Sequence, residues 1–517
     1  MTYDLNEKFL RGEFDQDSAR AGFGRGLVLA SESNVNVVAL TADLAESVQF
    51  HHFAERFPER FVEVGIAEQN MITVASGMAH VGKIPFAGSY AAFSPGRNWE
   101  QIRTTIALNT QPVKIVGSHA GLNVGPDGAT HQMLEDIALM RVIPNMVVLA
   151  PGDAIEAEKI AQAMAHDQRP NYVRLVRDKS PIFTDKDSPF EIGPAYVLRE
   201  GKDISIFATG TMTAQALLAA NELKQQNISA EVIHFPTIKP LDVETALNSI
   251  AKTRRVIVVE EHQIAGGFGS AIAELTTDNL RKIDFISHDK FKKDTTKSIL
   301  FKQLGIKDRF GQSGAADELL KYYHLTSKNI VHSAHILTHE KTKDNSPNDF
   351  KIIYAAYGAN RDLEMMRHII GGEPKILEDN QMCYIKDYEL CIQSYDEVPE
   401  ICFDGSEYGN KSDLIDGWGE KARDFQTYVI RPKHGAKVAA KLYEITGRQH
   451  SLIRSWENWF KPILVEVETP DGRSVMAKTE CLWEDQTASD TADGLNYDEY
   501  LLDRNDMWRV ADSAREK

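Results

Sequence analysis

Two patterns of apolar and polar residues divide the chain. Over the first two thirds, short runs rich in valine and isoleucine alternate with stretches of helical spacing. The runs VNVVAL (35–40), PVKIVGS (112–118), NMVVLA (145–150), ISIFATG (204–210), AEVIHF (230–235) and RVIVVEE (255–261) are apolar nearly throughout. That marks strands covered on both faces. Helical periodicity predicts helices over 68–80, 98–108, 153–165 and 212–225. The expected fold class is therefore α/β: two successive domains with parallel or mixed sheets, dividing near 185–195. After residue 350 the text changes to IIYAAYG, YVIRP, KVAAKLYEI and ILVEVETP with turn signals between, which predicts a small α+β, barrel-like domain. The polar, proline-containing stretch 336–350 (ILTHEKTKDNSPNDF) is the expected linker. The expected domains are thus 1–187, 188–335 and 351–517.

Charge and composition sharpen this division. The 517 residues include 58 basic and 75 acidic ones, a net charge of −17. Residues 335–517 hold 23 of the basic and 35 of the acidic side chains, so −12 of the −17 lies in the last third. All four cysteines and five of the six tryptophans are there too. Two proteins of different ancestry read as joined. An acidic chain lacks the basic face that phosphate contacts need, so nucleic acid is not an expected partner. The start, MTYDLNEKFL, has no basic and apolar leader pattern, and no apolar run reaches about 18 residues. With no CxxC pair, the cysteines read as free thiols of a reducing compartment. The expected location is cytoplasmic, with no membrane partner.

Three segments carry candidate chemistry. FVEVGIAEQNM (61–71) puts Glu68 after a strand and at the start of a helix, where the helix dipole alone also favours a carboxylate. PFAGSYAAF (85–93) sets Tyr90 and Phe93 three apart, a spacing equally suited to core packing. SHAGLNVGPDGATHQ (118–132) is a glycine-rich loop between a strand and a helix, holding His119, Asp127 and His131. Loops at the carboxyl ends of parallel strands are where open α/β sheets bind ligands. Each piece is weak alone; in this order they are specific.

Together with TADLAES (41–47), VGIAEQ (64–69), RLVR (174–177) and VVEEHQIAGGFGS (258–270), these segments resemble the C-terminal half of transketolase, and in particular the small subunit of split transketolases. The resemblance spans about 1–330. It implies a pyrimidine-binding domain of the thiamine-diphosphate-binding fold, then a transketolase C-terminal domain. By that resemblance Glu68 bonds N1′ of the cofactor's aminopyrimidine and favours its imino tautomer. Tyr90 and Phe93 hold the pyrimidine ring, and Asp43 lies near the cofactor and the subunit interface. Asp127 contacts a sugar hydroxyl, and His131 assists proton transfer among the reacting hydroxyls. Arg20, Ser47, His119 and Arg177 form the phosphate end, a clamp of two guanidinia, an imidazole and a hydroxyl suited to a sugar phosphate. Catalysis is assigned to Glu68 and His131.

The family holds the diphosphate through Mg2+ bound by a GDG motif, and no GDG string occurs in this sequence. No metal ligand set is read in this chain. The resemblance then implies a separate diphosphate-binding subunit as partner, a heterotetramer of two of each chain, and sugar phosphate substrates. The implied reaction moves a two-carbon ketol unit from a ketose to an aldose. Two relatives in chemistry stay open: the beta subunit of a 2-oxoacid dehydrogenase, and 1-deoxyxylulose-phosphate synthase with pyruvate as donor.

In the acidic third, IIYAAYGANRDLEMM (352–366) resembles the opening of the gamma-glutamylcyclotransferase-like (AIG2-like) fold, with Tyr357, Gly358, Ala359 and Asn360 at its YGSN loop. The family's acid has its nearest counterpart in WENWF (456–460), at Glu457, with Phe460 where a second acid belongs. That departure puts cyclotransferase activity in doubt and leaves a binding or assembly module as the implied role.

Overall fold

The computed structural model describes residues 5–291, 293, 298–339, 351–357, 363–397, 426–446, 449–450, 452–453, 461–481, 488 and 490–491. The chain forms two compact units, 1–340 and 341–517. Among the described residues, unit one contains two helix-covered sheets and a two-stranded antiparallel ribbon, Gln16–Ser18 with Lys179–Pro181.

The first sheet has seven strands in the spatial order Thr237–Lys239, Val147–Leu149, Asn171–Arg174, Lys114–Ser118, Ile84–Tyr90, Val37–Thr41 and Phe61–Glu63. All neighbours but the first pair run parallel. The Val37–Thr41 and Lys114–Ser118 strands are buried at every position, as two-sided covering demands. Helices Ala19–Ser33 and Ala154–His166 pack closely on one face because glycines remove the intervening side chains. A Cβ on Gly22 would come within 1.9 Å of the Ala154 carbonyl oxygen, and one on Gly26 within 2.2 Å of that of Glu158. Both helices carry polar N-caps: Ser18 Oγ accepts from Ala21 N at 3.3 Å, and Asp153 Oδ1 from Ile155 N and Glu156 N at 3.0 Å each.

The second sheet orders its five strands Leu300–Ile306, Arg255–Gln263, Ile204–Ala208, Ala230–His234 and Tyr196–Arg199. Only the last is antiparallel. Two features depart from the sequence expectations. The short strand Thr237–Lys239, which follows the second sheet's Ala230–His234, crosses over and extends the first sheet. Helix Ser327–His339 also runs through residues 336–339, which the polar composition assigned to the linker. The reason is packing: Ile330, Val331, Ala334 and Leu337 fall on one helical face and enter the second sheet's apolar core.

In unit two, five strands close into a ring. Lys351–Ala356 pairs antiparallel with Gln426–Thr446 and parallel with Ser474–Cys481. Lys461–Glu468 joins Ser474–Cys481 to Cys383–Ser394, and Cys383–Ser394 pairs back with Gln426–Thr446. Helix Leu363–Ile370 buries Met365, Met366, Ile369 and Ile370. The expected α+β barrel is present. Cys383 and Cys391 are buried free thiols, and Cys481 is buried too. Among the described residues, no helix is long and apolar enough to cross a membrane.

Candidate active site

Neighbouring parallel strands deliver the predicted residues to one edge of the first sheet. Tyr90 ends its strand in register with Ser118, and His119 follows directly with a positive φ of 56°. Asp43 follows the next strand, also at positive φ (59°), and its amide donates to Glu63 Oε1 at 2.8 Å. Its carboxylate side chain is exposed.

Glu68 opens helix Glu68–His80 and is only 2% exposed. Its Oε2 accepts from Arg97 Nη1 at 2.7 Å, and its backbone carbonyl accepts from buried Asn98 Nδ2 at 3.1 Å. The Arg97 guanidinium lies 4.7 Å from the centroid of the Phe93 ring. Phe93 and Tyr90 are stacked, with centroids 5.9 Å apart and planes 21° from parallel. Buried carboxyl and flat rings therefore occur side by side, a fit to a flat nitrogen heterocycle.

The other end of this site is cationic. Arg20 Nη1 donates to the Ser47 carbonyl at 2.8 Å and Arg20 Nε to the Arg177 carbonyl at 3.0 Å. Arg177 Nη1 donates to the Val124 carbonyl at 2.8 Å, which ties it to the Leu122–Asp127 turn. Tyr90 Oη donates to Ser47 Oγ at 3.2 Å. The His119 imidazole lies on the Tyr90 ring at 3.8 Å, with planes 25° apart, and its Nδ1 is 3.0 Å from Ser118 Oγ. Burial, with Arg20, Arg177 and His131 nearby, pushes the His119 pKa down to about 3. It is a neutral imidazole at pH 7. Burial and then Arg177 also lower the Arg20 pKa from its ordinary value. His131 meets the edges of Phe93 and Tyr90 at 5.5 and 6.1 Å, and its Nδ1 is 2.8 Å from Thr130 Oγ1. The structure thus brings together Arg20, Ser47, Tyr90, Phe93, His119, His131 and Arg177. Asp127 stands exposed at the end of its turn, outside these contacts.

Behind the site, a buried polar cluster joins the two sheet domains. Arg174 Nε donates to Asp136 Oδ2 at 2.9 Å, and Tyr172 Oη to the same oxygen at 2.8 Å. Arg174 Nη2 reaches the Glu261 carbonyl at 2.7 Å, and Glu261 Oε1 accepts from Asn123 N at 2.7 Å. Gly121, at φ +82°, passes this cluster where a Cβ would sit 2.4 Å from Glu261 Oε1. The glycine-rich loop is thereby held from both domains. Glu261 stands above its ordinary pKa because it is buried.

Sequence reasoning missed Arg97, Asn98, Arg174 and Asp136. The RLVR text contained Arg174, while Arg97 lies 29 residues from Glu68 with no periodic link to it. In unit two, Tyr357 is buried and its Oη donates to the Glu480 carbonyl at 2.7 Å. Gly358, Ala359, Asn360 and Glu457 lie outside the described residues. Among the described residues, no group of three or more His, Cys, Asp or Glu side chains is arranged to hold a metal ion.

Comparison with known proteins follows the same division. Residues 16–181 match the family description "Transketolase, pyrimidine binding domain", and residues 193–288 match "Transketolase, C-terminal domain". The chain is 44% identical over 315 residues to a putative transketolase C-terminal section of Methanocaldococcus jannaschii, covering 60% of this chain and 93% of that one. It is 38% identical over 312 residues to a 6-deoxy-6-sulfo-D-fructose transketolase subunit of a Clostridium species, covering 60% and 91%. A solved structure described as "Split gene transketolase, inactive beta4 tetramer" shares 40% identity at a TM-score of 0.56, covering 62% of this chain and 98% of that one. A 1-deoxy-D-xylulose-5-phosphate synthase of Halothermothrix orenii matches at 35% identity over 62% of this chain, which spans 48% of that protein. Thiamine diphosphate use comes with this family, as does a transferase chemistry. From its buried Glu68 to its two matched domains, the chain belongs to the transketolase family, among the C-terminal-type subunits of split transketolases.

Proposed function

We propose that this chain is the pyrimidine-binding subunit of a thiamine-diphosphate-dependent transketolase that moves a two-carbon ketol unit from a phosphorylated ketose to an aldose. The observation that carries this reading is one continuous site with a buried carboxyl beside flat rings at one end and two guanidinia at the other. When bound, thiamine diphosphate supplies an electron sink for breaking the ketose C2–C3 bond.

Glu68 would bond the pyrimidine N1′, and its burial keeps water from competing for that bond. Phe93 and Tyr90 would hold the ring, and Asp43 would lie near the cofactor. Arg20, Arg177 and Ser47 would orient the phosphate of the sugar, with neutral His119 as a further hydrogen-bond donor. His131 would move a proton among the reacting hydroxyls, and Asp127 would bond a sugar hydroxyl. The diphosphate and its Mg2+ would fall to a separate, GDG-bearing chain, in a heterotetramer of two of each. Unit two, read as a gamma-glutamylcyclotransferase-like domain, would serve as a binding or assembly module.

The test is reconstitution. The purified chain with thiamine diphosphate and Mg2+ gives no ketol transfer, and activity appears on adding a GDG-bearing partner. Robust activity of the isolated chain would overturn the two-subunit reading. Pyruvate outperforming ketoses as donor in the complex would favour 1-deoxyxylulose-phosphate synthase chemistry. A screen of gamma-glutamyl amides for 5-oxoproline release tests unit two directly; release abolished in Glu457→Gln would make it catalytic.

A further inference from the structure

The group bound to Glu68 is part of the chain itself. Arg97 puts one guanidinium nitrogen on the Glu68 carboxyl at 2.7 Å and lays the same planar group 4.7 Å from the Phe93 ring centroid. A guanidinium is flat, donates in its plane and stacks on aromatic faces. These are the two kinds of contact, with the same two residues, that an aminopyrimidine ring would make. The two partners differ in freedom. Glu68 is 2% exposed and fixed in the first turn of its helix, whereas the Arg97 side chain is 49% exposed. Arg97 can therefore move into water at small cost in solvation. Glu68 cannot follow, and a buried carboxylate stripped of its cation is an expensive state unless another group replaces it.

We propose that Arg97 is a built-in plug of the pyrimidine pocket: it pairs with Glu68 while the pocket is free and must swing out before an aminopyrimidine can bind. The proposal rests on the reading of Glu68 given above. It makes Arg97 a positioning residue, with pocket occupancy a competition between one side chain and one ring. Cofactor affinity is then lowered by the plug, and Glu68 is never left without a partner.

Titration of the full-length chain with 4-amino-5-hydroxymethyl-2-methylpyrimidine, read by calorimetry, tests this without any turnover. Arg97→Gln binds the fragment about tenfold more tightly than the parent chain, Arg97→Lys stays near the parent, and Glu68→Gln loses binding in either background. The fragment-free Arg97→Gln chain melts at a lower temperature than the parent, and saturating fragment restores it. Equal or weaker binding by Arg97→Gln overturns the plug. So does a crystal structure of the fragment complex with Arg97 still on Glu68. If Glu68→Gln binds the fragment as the parent does, or if no chain binds it saturably, the reading of Glu68 fails as well. If Glu68→Gln abolishes binding while Arg97→Gln does not tighten it, only the plug fails.

Discussion

Two small sets of tyrosine and glutamate, one in each unit, stand in opposite settings. In residues 1–340, Tyr90 and Glu68 stand at the rim of an open parallel sheet, where Tyr90 ends a strand and Glu68 opens a helix. In residues 341–517, Tyr354 and Glu480 lie within the ladders of a closed ring, and Tyr357 directly follows its first strand. There Tyr354 Oη donates to Glu480 Oε2, Tyr357 Oη to the Glu480 carbonyl, and Thr479 Oγ1 to the Ala355 carbonyl. Those bonds tie the first strand of the ring to its parallel neighbour. An open sheet leaves its strand ends for ligands, whereas a ring spends the same residue types on its own closure. Residue type alone is a weak guide to chemistry; position relative to the sheet's end decides.

The largest contrast is in stability. Asp136→Ala strips the buried Arg174 guanidinium of its carboxylate and is expected to cost about 3–5 kcal/mol in urea unfolding of the first unit. A loss under 1 kcal/mol would mean the cluster does not hold the domains together. Next comes the cationic end. Arg20→Met removes a charged donor, and KM for a phosphorylated ketose in the reconstituted complex should rise about 10–100-fold, as loss of about 1.5–3 kcal/mol implies. An unphosphorylated ketose should be far less affected. An equal loss for both would remove Arg20 from the phosphate end.

A third test uses pH. His119 has a pKa near 3 when folded, against 6.5 ordinarily, so only the unfolded chain takes up its proton between those values. Its contribution to stability is complete above pH 6.5 and is lost as pH falls toward 3, at up to about 1.4 kcal/mol per pH unit. His119→Phe keeps a ring on Tyr90 and removes that slope, which urea midpoints at pH 7 and pH 5 would reveal. An unchanged slope would mean His119 does not titrate as its surroundings dictate. The smallest effect belongs to the ring: Tyr354→Phe should cost unit two about 1 kcal/mol, and ketol transfer should be unchanged. A change in ketol transfer would join the two settings that the comparison separates.

Much of this was legible in the sequence where the pattern is local. The helix expected at 68–80 runs over Glu68–His80, and each of the six apolar runs falls on a strand, because two-sided burial writes itself as unbroken apolar text. The gathering of Tyr90, Phe93, His119 and Arg20 was reachable only through the family resemblance, since these residues are far apart in the chain. What escaped was non-local or short. Strand Thr237–Lys239 has three residues, too few for any periodicity, and exists because the first sheet offers it an edge. The helix expected at 98–108 is present, an α-helical start over Trp99–Gln101 that continues in π geometry over Ile102–Ala107, which periodicity alone does not show. Nothing in the sequence marks Arg97, and only the fold brings it to Glu68.

The most direct test of the account is the turnover number of Glu68→Gln in the complex reconstituted with a diphosphate-binding partner. The amide matches the carboxyl in size but cannot exchange a proton with a ring nitrogen. Turnover is expected to fall by about 10²–10⁴, the range for a lost proton-transfer group, with the assembled complex intact by size-exclusion chromatography. Turnover within a fewfold of the parent would contradict the assignment of Glu68, and with it the placement of the pyrimidine at this edge of the sheet.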